Sequence, residues 1–84
     1  MVANTNEPRQ VVIPYELARD LLESKIRGLR QEIECILKKW SQQDVEALQT
    51  ATRKGTLPEA ETDAIILGNL SEKLREYEEL LTNI

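Results

Sequence analysis

The 84-residue chain has no histidine and a single cysteine, Cys35. Serine and cysteine nucleophiles normally depend on an adjacent base, which is most often histidine. A structural zinc site needs four ligands, usually Cys or His side chains, and one thiol without an imidazole cannot build such a site. We therefore predict a protein that is not an enzyme and that holds no cofactor and no metal.

The lone cysteine also excludes a disulfide within one chain. A chain of this size buries only about 60 to 65% of its unfolded surface, so it usually needs a disulfide, a metal or a second subunit to be stable. With the first two set aside, self-association remains. A single cysteine without a secretory pattern is typical of a reducing compartment, and we predict a cytoplasmic protein.

Aromatic residues are equally scarce, because phenylalanine is absent and only Trp40, Tyr15 and Tyr77 are present. The core must then come from Leu, Ile, Val and Ala, a composition that favours packed helices. The three glycines, Gly28, Gly55 and Gly68, stand singly and form no phosphate-binding loop.

Neither a basic surplus nor a long apolar run is present. The formal net charge is −4, which argues against nonspecific attraction to nucleic acid or to an anionic membrane. The longest apolar run, 64–67, is far too short to cross a bilayer. We expect a protein partner first, nucleic acid less, and no membrane.

Residues 1–13 predict a flexible leader that ends in a short β-branched run with strand character. Pro14 then suits the first position of a helix. From there to Trp40 the apolar residues recur every three or four positions without a proline, which predicts a long amphipathic helix over 14–40.

Two further helices are predicted, over 42–54 and 58–82. Ser41, with an acid three residues later at Asp44, has the pattern of a helix N-cap, and Gly55 has that of a helix stop. Pro58 opens the last helix, and acidic residues follow in its first turn.

The predicted fold is all-α: residues 14–84 form an antiparallel hairpin of two long helices joined by a short connecting helix. The apolar residues of the first helix form an arc on its surface, and this apolar arc is too broad for one neighbouring helix to cover. We therefore predict that two hairpins dimerise into a four-helix bundle. The predicted interface residues are Ile26, Leu29, Ile33, Ile36, Trp40, Leu67, Leu70, Leu74, Tyr77 and Leu81.

Several side chains leave two interpretations open. Ile65 and Leu57 form either an exposed patch for a partner or a small second core against the connecting helix. Lys25 and Glu32 interrupt the apolar arc, where polar groups that fix the register of an interface are the favoured explanation. Cys35, at the edge of the same arc, is expected to be partly buried.

An alternative function is a DNA-binding regulator that uses residues 10–13 as a dimer ribbon in the major groove. The segment precedes a helix, as in ribbon-helix-helix repressors. However, Arg9 is the only cation near it, and the first helix continues through Gly28 without a break.

Four segments carry a family resemblance. They are Leu29-Arg30-Gln31-Glu32-Ile33, Lys39-Trp40, the turn Gly55-Thr56-Leu57-Pro58-Glu59, and an acidic last helix from Asn69 to Leu81. Their order and spacing over 22–81 resemble small helical antitoxin-like proteins of bacteria and archaea. The resemblance implies a dimer that neutralises a co-encoded toxin by helix packing. The chain departs from that pattern early in the last helix, where aromatic residues are expected.

Overall fold

The computed structural model describes residues 12–84, and within them it contains helices and no strand. Three α-helices, α1 (Tyr15–Lys39), α2 (Val45–Arg53) and α3 (Glu61–Asn83), follow one another, and a short 3-10 helix, Pro58–Ala60, precedes α3. The all-α prediction is confirmed. Most of the predicted leader, 1–11, lies outside the described residues. Val12 and Ile13 belong to neither helix nor strand and are exposed.

Helix α1 begins after Pro14, whose carbonyl accepts a hydrogen bond from the Ala18 backbone at 3.0 Å. It ends at a Schellman motif, in which the backbone N–H of Ser41 donates to Lys38 O at 3.1 Å and that of Gln42 to Leu37 O at 2.9 Å. Ser41 takes the left-handed conformation, with φ of 55°. Lys38 and Lys39 in the last turn lie near the negative end of the helix dipole.

The prediction that Ser41 caps the second helix is wrong. Because Ser41 is used to end α1, α2 begins four residues later and is shorter than the predicted 42–54. Asp44 is the N-cap, and its carboxylate accepts the Ala47 backbone N–H at 2.7 Å. Gly55 ends α2 as predicted, with φ of 79° and its N–H bonded to Thr52 O.

The prediction for the last helix is right in position, although its first turn differs. Pro58 opens one 3-10 turn, and regular α-helix starts at Glu61. Proline suits this place because the first turn of a helix has no use for its missing N–H. Glu61 and Asp63 lie in the first turn of α3, near the positive end of its dipole.

Helix α3 packs along α1 and also carries α2. Lys39 of α1 pairs with Asp63 at 2.9 Å, and Arg30 pairs with Glu78 at 2.6 Å. The later residue of α1 thus pairs with the earlier residue of α3, and the earlier with the later, so these helices run in opposite directions. Helix α2 packs mainly against α3 and the 3-10 turn and touches α1 little.

The core is small and lies where all three helices meet. Leu48 of α2 and Leu67 of α3 are fully buried, with Ile33, Ala60 and Ala64 around them. The partly buried residues packed against this cluster are Ile36, Leu37, Trp40, Val45, Leu57, Leu70 and Leu74. Ile26 and Leu29 are buried farther along α1.

Candidate interaction surface

The ten predicted interface residues lie mostly between α1 and α3 of the same chain. Four are buried: Ile26, Leu29, Ile33 and Leu67. The other six, Ile36, Trp40, Leu70, Leu74, Tyr77 and Leu81, are half-buried. Much of their apolar surface is therefore already covered by the chain itself, and an interaction surface must be sought among their neighbours.

Those neighbours are best located from the line of closest packing, which we call the seam. On α1 the seam runs through Leu22, Ile26, Leu29, Ile33 and Leu37, and on α3 through Ala64, Leu67, Ser71, Leu74 and Leu81. Both series advance by steps of three and four or their sum, which keeps them on one side of a helix.

A second apolar series on α3 runs beside its seam. Its members are Ile66, Leu70, Tyr77, Leu80 and Ile84, with Lys73 in the middle. Ile66, Lys73 and Leu80 each immediately precede a seam residue, so they are turned about 100° from the seam. Ile66 is 41% exposed and Leu80 is 50% exposed. Ile66 and Leu80 therefore have little cover within the chain, whereas Leu70 and Tyr77 are half-buried.

Helix α1 has a matching series, Ala18, Leu21, Lys25, Gly28, Glu32 and Ile36. Leu21, Lys25, Gly28, Glu32 and Ile36 each immediately precede a seam residue, as on α3. Leu21 is 54% exposed, and Lys25 and Glu32 are exposed. Among residues 12–84, a Cβ placed on Gly28 would meet nothing within 4 Å.

The two series lie on the same side of the α1 and α3 pair. Most members of each series precede a seam residue by one position, so both series are rotated from the seam in the same sense when each helix is viewed from its N-terminus to its C-terminus. Because the helices run in opposite directions, an equal turn brings both series to one face. We call this surface the open face; it consists of the two series just defined, on α1 and on α3.

Helix α2 lies on the opposite face. Gly68 immediately follows Leu67, and the Gln49 side chain of α2 lies 3.2 Å from where a Cβ of Gly68 would be. The groove between these helices is lined on the α3 side by Gly68, Ser71, Glu72 and Arg75. One face of the pair therefore carries a third helix, and the other carries none among the described residues.

A polar contact joins the end of α1 to the start of α3. Asp63 accepts hydrogen bonds from Lys39 Nζ at 2.9 Å and from Trp40 Nε1 at 2.8 Å. These two donors, Lys39 first, hold the pKa of Asp63 below its usual value of 3.8, against a smaller opposing effect of desolvation. Local sequence patterns do not indicate this contact, because the partners of Asp63 are more than twenty residues away. Asp63 thus links the end of α1 to the start of α3, near the beginning of α2.

Ile65 and Leu57, the predicted partner patch, differ in environment. Ile65 is 61% exposed, on the side of α3 away from the seam. Leu57 is half-buried and packs against the core cluster. Only Ile65 therefore presents most of its side chain to a partner.

The expectation that Cys35 is partly buried is wrong, since the residue is exposed. It follows the seam residue Ile33 by two positions and is thus turned about 200° from it. The edge of the predicted apolar arc lies outside the contact between α1 and α3, so a residue placed there stays exposed.

The remaining surface offers a cleft on the α2 side, lined by Glu23, Ile26, Arg27, Arg30, Glu78, Leu81 and Thr82. Glu78 already pairs with Arg30 there.

Over 12–84 the structure contains no cluster of three or more residues suited to a metal ion. No helix in the same range is long and apolar enough to cross a membrane.

Comparisons with protein-family models, with curated proteins and with solved structures find no match to this chain.

Proposed function

We propose that this chain is a non-catalytic helical interaction module that associates with itself and with a second protein, in the manner of an antitoxin. The observation that carries the proposal is the open face. Apolar side chains follow both long helices there, and the described part of the chain leaves Leu21, Ile66 and Leu80 exposed.

Covering that face would be favourable. Each square ångström of apolar surface removed from water contributes about 25 cal/mol. Leu21, Ile66 and Leu80 each expose two fifths or more of their surface. A partner layer of similar shape would complete the burial that these side chains begin within the chain.

A second copy fits this need, since small domains commonly gain stability by oligomerisation. Only seven hydrophobic residues of the described chain are buried, so one copy has a limited core. Two antiparallel hairpins stacked by their open faces would form a four-helix bundle, in which every long helix contacts two others.

A different protein would then use the surface that the bundle leaves accessible. Ile65 is the strongest candidate because it is largely exposed and lies off the open face. That this second protein is a toxin rests on the resemblance of residues 22–81 to antitoxin-like proteins. The exposed thiol of Cys35 suits a reducing compartment such as the cytoplasm.

Thermal unfolding at several protein concentrations tests the self-association. For a folded dimer, each tenfold increase in concentration should raise Tm by about 3 to 5 °C. Leu21→Asp places a charge on the open face and should abolish the dependence. Ile65→Asp, an equally severe change off that face, should keep it. A Tm of the native chain that is independent of concentration would refute the proposal.

A further inference from the structure

We infer that two copies pair through α1, with the α1 helices crossing in opposite directions at Gly28 on a twofold axis. The inference rests on the proposed self-association and specifies its register. It draws on three features of the open face: the order of its charges, its helical glycine and its area.

The charges of α1 are self-complementary about Gly28. Lys25 lies three residues before Gly28, and Glu32 lies four residues after it, both exposed on the open face. A twofold axis between positions 28 and 29 brings Lys25 of one copy opposite Glu32 of the other. The axis repeats the pair, so the interface contains two ion pairs and matches both charges of the α1 series of the open face.

Apolar residues match in the same register. Leu21 lies as far before the axis as Ile36 lies after it, so each exposed leucine meets the half-buried isoleucine of the other copy. Isologous contacts of this kind are a consequence of twofold symmetry. One register thus satisfies both the charged and the apolar members of the α1 series.

Gly28 is explained by the same crossing. Glycine inside a helix is less favourable than alanine, and the described part of the chain gives no reason for it, because a Cβ there would meet none of its atoms within 4 Å. Gly68, by contrast, lies against Gln49 of α2. At the axis, Gly28 would allow the two α1 backbones to approach closely, as glycine does elsewhere.

The size of the face is sufficient for a specific dimer. Two helices of about 35 Å, lying 8 to 10 Å apart, offer a footprint on the order of 600 Å² per copy. The total, about 1,200 Å², reaches the lower end of specific protein interfaces.

The competing arrangement stacks α1 of one copy on α3 of the other. Lys73 is the charged residue in the open-face series of α3, and it lies between Leu70 and Tyr77. In that arrangement Glu32 can reach Lys73 of the other copy, whereas Lys25 meets apolar side chains. The two arrangements therefore respond differently to charge reversal.

The experiment measures dimer dissociation constants by sedimentation equilibrium for Lys25→Glu, for Glu32→Lys and for an equimolar mixture of the two. Each variant alone would place like charges opposite each other in both pairs, so its dissociation constant should rise about tenfold or more. The mixture restores two opposite-charge pairs and should form a heterodimer about as tight as the native dimer. Both residues are exposed, and circular dichroism verifies that each variant folds.

The double variant, Lys25→Glu with Glu32→Lys, is the matched control and should dimerise like the native chain. The inference is overturned if Glu32→Lys weakens the dimer while Lys25→Glu does not, or if the mixture is no tighter than its components. In either case a native dimer would leave the proposed self-association intact. A native chain that is monomeric at all concentrations would overturn both.

Discussion

The two faces of the α1 and α3 pair differ in how completely the chain covers them. On one face α2 inserts Leu48, which is fully buried, and Gln49 approaches Gly68. On the open face Leu21 and Leu80 remain half exposed. A nine-residue helix thus completes the core at one place only. Much of the apolar surface on the open face stays in contact with solvent in the single chain.

The largest expected effect lies on the α2 face. Leu48→Ala removes a side chain with no exposed surface at the centre of the cluster and should lower the free energy of unfolding by about 3 kcal/mol. Leu80→Ala, the matched change on the open face, should cost less than about 1 kcal/mol in protein dilute enough to be monomeric. Denaturant unfolding of both variants measures the contrast. Equal losses would mean that the two faces do not differ as described.

The helical glycines of the two faces differ in the space around them, and alanine substitutions should have smaller effects there. Gly28→Ala adds a Cβ in open space, so in dilute protein it should stabilise the chain by up to about 1 kcal/mol through helix propensity. At concentrations where the dimer forms, the same change should weaken association. Gly68→Ala should gain less, because its Cβ must displace Gln49 from 3.2 Å. Chemical unfolding at low and high concentration provides the measurement, and equal gains for the two variants at low concentration would contradict it.

The smallest effect concerns the contact of Asp63, which helps to hold the α2 end together. Its carboxylate has a lowered pKa in the folded chain, because Lys39 and then Trp40 donate to it. The stability that it contributes is therefore present above its unfolded pKa, near 3.8, and is lost as pH falls from there through the folded pKa. Asp63→Asn should remove this part of the acid sensitivity. Urea unfolding between neutral and acidic pH compares the two curves, and parallel curves would refute the assignment.

The sequence was sufficient to predict an all-helical chain with a long first and a long last helix. The period of three and four residues from Tyr15 to Trp40 is long and contains no proline, and Gly55 follows two basic residues, a pattern typical of a helix end. Ser41 was misassigned because its pattern suits both a cap and a turn, and the left-handed backbone that decided between them depends on how α1 ends.

The candidate surface was only partly predictable. The broad apolar arc of α1 indicated surplus surface, yet it did not show which side α2 would cover. That depends on the path of the connection and on the approach of Gln49 to Gly68, which are tertiary facts. The contact of Trp40 with Asp63 was missed for the same reason. In contrast, the interruption of the arc by Lys25 and Glu32 was visible in the sequence and proves to lie on the open face.

The most direct test of the account is the solution mass of the native chain, measured by light scattering across micromolar concentrations. The account predicts twice the mass of one chain, falling toward a single mass on dilution. A single mass at every concentration would contradict it, and the open face would then have no second copy to cover it.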